Sequence, residues 1–373
     1  MSQPRFKFTG TASFPKADSK KPFCKLFTKD GIEMVSMNFG VQESKNSMGF
    51  VECFGSIPKN KVIKTKDTEG NDIEISWDNR FDEDTIKSVA NYRKYIVDLG
   101  EDFGGRKEFI TQYDAILYLK DNLHEYTGLI CVTGQMKKDW YETQYYDKFI
   151  FQNVYGVDEE HKPSLRITVD IYYKKDCIDK ESWKEDKVIG IDGYIQQYIN
   201  KEEGTKFIPQ RFVFNASKLN PENEKHIKLL NYKLKYVDSK AKKWEHLLWE
   251  VKMLNGAEEV DFDESQLTDA QKEQIELGIR TLDDFKPNGS IFGERVNEYR
   301  LLEPSLIKTG SDDFSNGFIS CEMTDDEFDE LIYHPAKKEK MSDLEESTKK
   351  ESKEKNEKEV DIEDELDDDD LFG

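Results

Sequence analysis

Three lysines and four aromatic residues crowd one short stretch of this chain: Lys137, Lys138, Trp140, Tyr141, Tyr145, Tyr146 and Lys148. An ammonium group pairs with a phosphate and a ring face stacks on an unpaired base, so the mixture suits a flat, negatively charged ligand such as single-stranded nucleic acid. Each such stack contributes ~1–3 kcal/mol. The alternative keeps Tyr145 and Phe149 as core and the rest as a solvated turn. The stretch is flanked by two runs rich in branched and aromatic residues, Gly128 to Gly134 and Phe149 to Tyr155. Such runs favour strands. Residues 128–155 are therefore expected to form a long hairpin, with the cations and rings in its polar connection.

A second set of the same chemistry follows. Leu165, Ile167, Val169, Ile171 and Tyr173 alternate with Arg166, Thr168, Asp170, Tyr172 and Lys174, the period of a strand with one buried face. Arg166, Tyr172 and Lys174 fall on the other face, and Lys175 and Trp183 extend the set, with Lys184 and Lys187 beyond. A third patch, Lys233, Lys235, Lys240, Lys242, Lys243 and Trp244, reads first as a charged hairpin turn and only second as a binding set.

Catalytic signatures are absent. Gly104-Gly105 lacks the Lys-Ser/Thr of a phosphate-binding loop, and the five histidines are scattered. The acid pairs Asp283-Asp284 and Asp312-Asp313 could bind a metal, but solvated surface acids are far commoner. No enzyme activity, cofactor or metal is expected. The five cysteines are widely spaced with no Cys-x-x-Cys pair, which fits reduced thiols in a cytoplasmic setting.

At 373 residues the chain has length for two domains and a tail. No run approaches the ~18 apolar residues of a membrane span, and the first residues lack a signal peptide's apolar core. A soluble, unexported protein is expected. The net charge of −22 argues against a nucleic-acid partner until its distribution is seen. Lys+Arg against Asp+Glu is 41 to 40 over residues 1–255, 6 to 21 over 256–336 and 8 to 16 over 337–373. A neutral body can carry local basic patches, while the acidic last third repels the same ligand.

Along the chain, short β-like runs occupy residues 5–56, and helices are expected at 82–89 and 114–122, each opened by an acid. Residues 57–126 read as an insertion. Further strands are expected at 188–194, 207–215 and 247–253, followed by a helix at 268–277 opened by a Thr268/Gln271 capping box. A strand that packs back is placed at 290–302 and a short acidic helix at 325–332. The runs Phe50 to Gly55, Leu129 to Gly134 and Val188 to Gly193 share a glycine ending, as where a strongly curved strand bends. From residue 336 the composition is Lys, Glu, Ser and Asp, too poor in apolar groups to bury a core, so a disordered tail is expected.

That tail closes on Asp367, Asp368, Asp369, Asp370, Leu371, Phe372 and Gly373. With its linker it resembles the acidic tip of bacteriophage and bacterial single-stranded DNA-binding proteins built from OB-folds. The 128–155 hairpin is similar to the hairpin whose loop contacts the strand in that family. By this resemblance Lys137, Lys138, Trp140, Tyr141 and Tyr145 bind DNA, and Asp367 to Phe372 recruit replication or recombination proteins. Two features depart from the family: Gly373 follows the terminal Phe, and the chain has material for two barrels. The expected fold is mainly β with α insertions, a β-rich α+β chain. Tandem OB-like barrels at 1–157, with the insertion at 57–126, and at 158–255 precede an acidic extension at 256–335 and a disordered acidic tail at 336–373. The expected function is sequence-independent single-stranded DNA binding; an acidic interaction scaffold or DNA mimic is the other reading.

Overall fold

The computed structural model describes residues 3–16, 19, 21–141, 144–179, 181–182, 188–215, 243–287, 289, 291–304, 307–308, 314–315, 318–321 and 323–335. Trp183, Lys184, Lys187, most of the third basic patch and the whole tail, Asp367 to Phe372 included, lie outside the described residues.

The first part of the chain contains β1 (Arg5–Ser13), β2 (Cys24–Lys29), β3 (Ile32–Ser44), β4 (Ser47–Ser56), β5 (Val62–Lys66), β6 (Asp72–Ser76), α1 (Glu83–Ser88), β7 (Tyr95–Asp98), β8 (Lys107–Phe109) and α2 (Gln112–Asn122). The hairpin follows as β9 (Leu129–Tyr141) and β10 (Gln144–Val157). Then come β11 (Ser164–Tyr173), β12 (Ile178–Asp179), β13 (Val188–Tyr198), β14 (Thr205–Asn215) and β15 (Trp244–Gly256). The last third adds β16 (Glu259–Val260), α3 (Asp269–Glu276), β17 (Ile291–Phe292), β18 (Val296–Pro304), β19 (Ile307–Lys308), β20 (Phe314–Ser315), β21 (Phe318–Cys321) and α4 (Asp325–Glu330).

Strand pairing runs in two closed circuits. The first is β1-β3-β4-β10-β9 and back to β1; its β4–β10 step is parallel and the rest are antiparallel. The second is β11-β13-β14-β18-β15 and back to β11, again with one parallel step, β14–β18. The circuits join where β1 pairs with β11, from Arg5 opposite Thr168 to Thr9 opposite Ser164. One continuous apolar core serves both, because alternate residues of every long strand point the same way. At its centre Phe6, Phe8 and Phe149 meet with ring centroids 4.6 to 5.3 Å apart. Each buried phenylalanine contributes about 1.5–3 kcal/mol of hydrophobic stabilisation.

The expected bend at Gly134 lies beside an irregularity of β10 between Phe151 and Asn153. A Cβ on Gly134 would lie 2.0 Å from the Ile150 carbonyl oxygen, so only glycine lets the two backbones approach this closely. Capping differs from the sequence expectation. Asp82 precedes α1 without a side-chain capping bond, and α2 is capped by Thr111, whose hydroxyl accepts from the Asp114 backbone N–H. Asp114 instead pairs with Arg80 at 3.0 Å.

The acidic extension is less strand-poor than its composition suggests. β18 completes the second circuit and β21 pairs with β15. Of β18, only Tyr299 and Leu301 are buried among the residues whose side chains are described, too few to leave a clear alternation in the sequence. Among the described residues no helix is long and apolar enough to cross a membrane.

Candidate nucleic-acid interface

The cations and rings expected in a loop at the hairpin tip sit inside its strands. Trp140 lies opposite Tyr145, Asp139 opposite Tyr146, Lys138 opposite Asp147 and Lys137 opposite Lys148. Because side chains alternate between the faces of a strand, this ladder divides the set in two. Lys138, Trp140, Tyr145 and Asp147 share the inner face with Met136 and Phe149. Lys137, Tyr141, Tyr146 and Lys148 share the outer one.

On the inner face Lys138 is buried and ion-paired with Asp147, which also accepts the Tyr299 hydroxyl. The same ammonium lies 5.6 Å from the Tyr299 ring centroid. Burial, then the Asp147 charge, push the Tyr299 phenol well above its ordinary range. The Gln197 side chain acts as a substitute strand partner. The Lys138 N–H donates to Gln197 Oε1 at 2.7 Å and Gln197 Nε2 donates to the Lys138 carbonyl at 2.9 Å. Trp140 packs against Tyr333 with centroids 4.8 Å apart, and the Tyr145 hydroxyl donates to the Tyr333 carbonyl at 2.7 Å. Lys138, Trp140 and Tyr145 thus tie the hairpin to β13, β18 and the segment after α4, and turn away from the outer face. The pairing of Lys138 with Asp147 follows from hairpin register, which the sequence left unspecified.

On the outer face Lys137 and Lys148 stand directly opposite each other, and neither forms an ion pair with a described residue. Like charges in this position destabilise a sheet. Burial, reinforced by the Lys148 charge, holds the Lys137 ammonium pKa below the usual lysine range. Tyr141 is 63 % exposed and Tyr146 44 %. The Tyr146 phenol is pushed up to about 12 by partial burial and by its hydrogen bond to Asp139.

The face continues onto neighbouring strands. Val51 of β4 pairs with Phe149 of β10, both buried, so the exposed Phe50 and Phe54 emerge on the same side as Lys148. Phe27 of β2 lies 6.1 Å from Phe54, with Lys25 5.8 Å above its ring. On the other flank, exposed Arg5 and Lys7 of β1 lie opposite Gln135 and Thr133 of β9. Phe50, Phe54, Arg5 and Lys7 escaped the sequence reading. Their signal was present as exposed-face residues at period two, but only β4–β10 and β1–β9 pairing carries them beside the hairpin.

The second set is arranged differently. Arg166 is exposed and ion-paired with Glu250. Tyr172 is buried, stacked on His246 with centroids 4.7 Å apart. Lys174 pairs with Asp325 of α4 at 2.9 Å and lies 5.1 Å from the Trp244 ring. Phe328 of α4, fully buried, lies parallel between Trp244 at 3.6 Å and Phe207 at 4.2 Å. Lys175 is half-buried beside this cluster. The sequence reading missed that α4 covers these residues. Among the described residues no three His, Cys, Asp or Glu side chains are grouped to hold a metal ion.

No family model matches the chain, and no curated protein sequence does. Among solved structures, a deletion mutant of the single-stranded DNA binding protein from Thermus aquaticus aligns over 68 % of this chain and 89 % of its own, at 11 % identity and a TM-score of 0.27. A likeness that slight carries no argument about fold or ligand.

Proposed function

We propose that the chain binds single-stranded DNA, with little sequence preference, across the outer face of β9 and β10 and the adjoining strands. The observation that supports this best is the Lys137–Lys148 pair, two opposed cations without a described carboxylate partner, flanked by the exposed rings of Tyr141, Tyr146, Phe50 and Phe54. Phosphates bound at the two ammonium groups would relieve their repulsion, and rings on either side would accept unpaired bases. Arg5 and Lys7 extend the positive track. Lys138, Trp140, Tyr145 and the residues under α4 support the fold in this reading, while Arg166 stands at the edge of the face. Each strand circuit has the order first-second-third-fifth-fourth with a parallel third–fifth step, which favours tandem OB-like barrels. The acidic tail would compete for the face and engage replication or recombination proteins.

Titration of labelled poly-dT at several salt concentrations tests the reading. Affinity should fall steeply with salt, and Lys137→Ala/Lys148→Ala should flatten the logarithmic slope by roughly 1.4, at ~0.7 per lost phosphate contact on a single strand. Absence of binding at low and high salt alike would favour the acidic scaffold or DNA mimic.

A further inference from the structure

The outer face of the hairpin does not end at an edge. It runs into a cleft of about 660 Å³ that is lined also by β5 and β6 of the insertion, by the segment around Tyr92 and by the start of α2. That volume lies within the ~300–1,000 Å³ of small-molecule sites. Gln135, Lys137 and Ile150 form part of its floor, and Phe54 and Tyr92 contribute aromatic surface, 39 % and 57 % exposed.

The cations lining the cleft differ in their commitments. Lys66 is paired with Asp72 at 2.8 Å and Lys94 with Glu108 at 3.1 Å. Lys137 forms no ion pair with a described residue. The cleft also offers amide groups. Gln152 Nε2 donates to the Tyr92 carbonyl at 2.7 Å, which leaves its oxygen to accept. Gln135 is exposed and lines the cleft, bringing an amide with both a donor and an acceptor. Side-chain amides can match the mixed donor and acceptor edge of a base, while rings take its faces.

We infer that this cleft is a nucleobase pocket that receives one unpaired base of a strand whose phosphates lie on Lys137 and Lys148. The inference rests on the reading of the outer face as a single-strand surface and adds a source of selectivity. A base within a duplex is paired along its edge and stacked on both faces, so it reaches such a cleft only after unpairing. The lining from β5 and β6 would thereby give the insertion a role in distinguishing single strands from duplexes.

The test uses the full chain and three probes of equal length: oligo-dT, a fully abasic phosphodiester strand and a duplex. The variants are Tyr92→Ala, an exposed site whose backbone carbonyl still accepts from Gln152, and Ile150→Trp, which fills the floor. Wild-type protein should bind oligo-dT at least tenfold more tightly than either other probe, the loss expected when one base–ring stack is removed. Both variants should narrow that gap several-fold while leaving affinity for the abasic strand unchanged. The pocket is refuted if the gap survives in both variants; equal binding of oligo-dT and abasic strand to the wild type would overturn base stacking on the outer face together with the pocket. Binding of none of the probes would instead overturn the single-strand reading itself.

Discussion

Lys137 and Lys138 are neighbours in the chain, yet the fold uses them in opposite ways. Lys138 points inward to Asp147 and Tyr299, with its backbone held by Gln197. Lys137 points outward to Lys148, another cation. The same contrast separates Trp140, packed on Tyr333, from Tyr141, which is largely exposed. It also separates the hairpin's outer face from the set around Tyr172, where Asp325 neutralises Lys174 and Phe328 fills the space between Trp244 and Phe207. Identical side-chain types are therefore poor guides to role. What distinguishes them is whether the rest of the chain supplies a partner.

The contrast can be broken most forcefully from the inner side. Lys138→Ala leaves the Asp147 carboxylate buried without its cation and should destabilise the fold by roughly 3–5 kcal/mol. Phe328→Ala opens a cavity in a fully buried aromatic stack and should cost about as much. Denaturant midpoints measure both, and folded protein should keep its affinity for poly-dT. If Phe328→Ala instead tightened DNA binding tenfold or more, the Tyr172 set would be a covered binding site rather than core.

Substitutions on the outer side should show the converse. Tyr141→Ala and Tyr146→Ala should each weaken binding by ~1–3 kcal/mol if the ring stacks on a base, with stability nearly unchanged. Trp140→Ala should shift the unfolding midpoint while sparing the affinity of the folded fraction. Equal effects of Trp140→Ala and Tyr141→Ala on affinity would erase the difference between the faces.

A smaller effect sharpens the comparison. Lys137→Met removes one of two opposed charges and should raise stability by about 0.2–1 kcal/mol, while flattening the salt dependence of DNA binding. The pH dependence has a defined sign. Because Lys137 has a lowered pKa in the fold, the unfolded chain holds that proton more tightly, and stability gains as pH rises from the lowered value towards the ordinary ~10.4. DNA affinity should move the other way across the same window, since a phosphate prefers the protonated lysine. Proton uptake on binding, measured by calorimetry in buffers of different ionisation enthalpy, should appear there and vanish in Lys137→Arg.

Much of the architecture was legible because strand period and composition are local. The alternation from Leu165 to Lys174 gave β11, the branched runs around residues 128–155 gave both hairpin strands, and Thr268 with Gln271 marked the start of α3. The hairpin tip was misread because its polar residues looked like a loop, whereas Asp147 and Asp139 on the facing strand give several of them partners within a ladder. Phe50 and Phe54 were legible as outward residues of a strand but not as neighbours of Lys148.

The sequence by itself determined that one hairpin would carry lysines and aromatic rings, that the body would be neutral and the last third acidic, and that strands would dominate. Only the tertiary structure decided which of those rings and charges face outward. The physical reason is register: a shift of one residue exchanges the two faces of a strand. The register that opposes Lys137 to Lys148, and Lys138 to Asp147, is also the one that delivers Lys138, Tyr145 and Asp147 to partners far away in the chain, Gln197, Tyr333 and Tyr299.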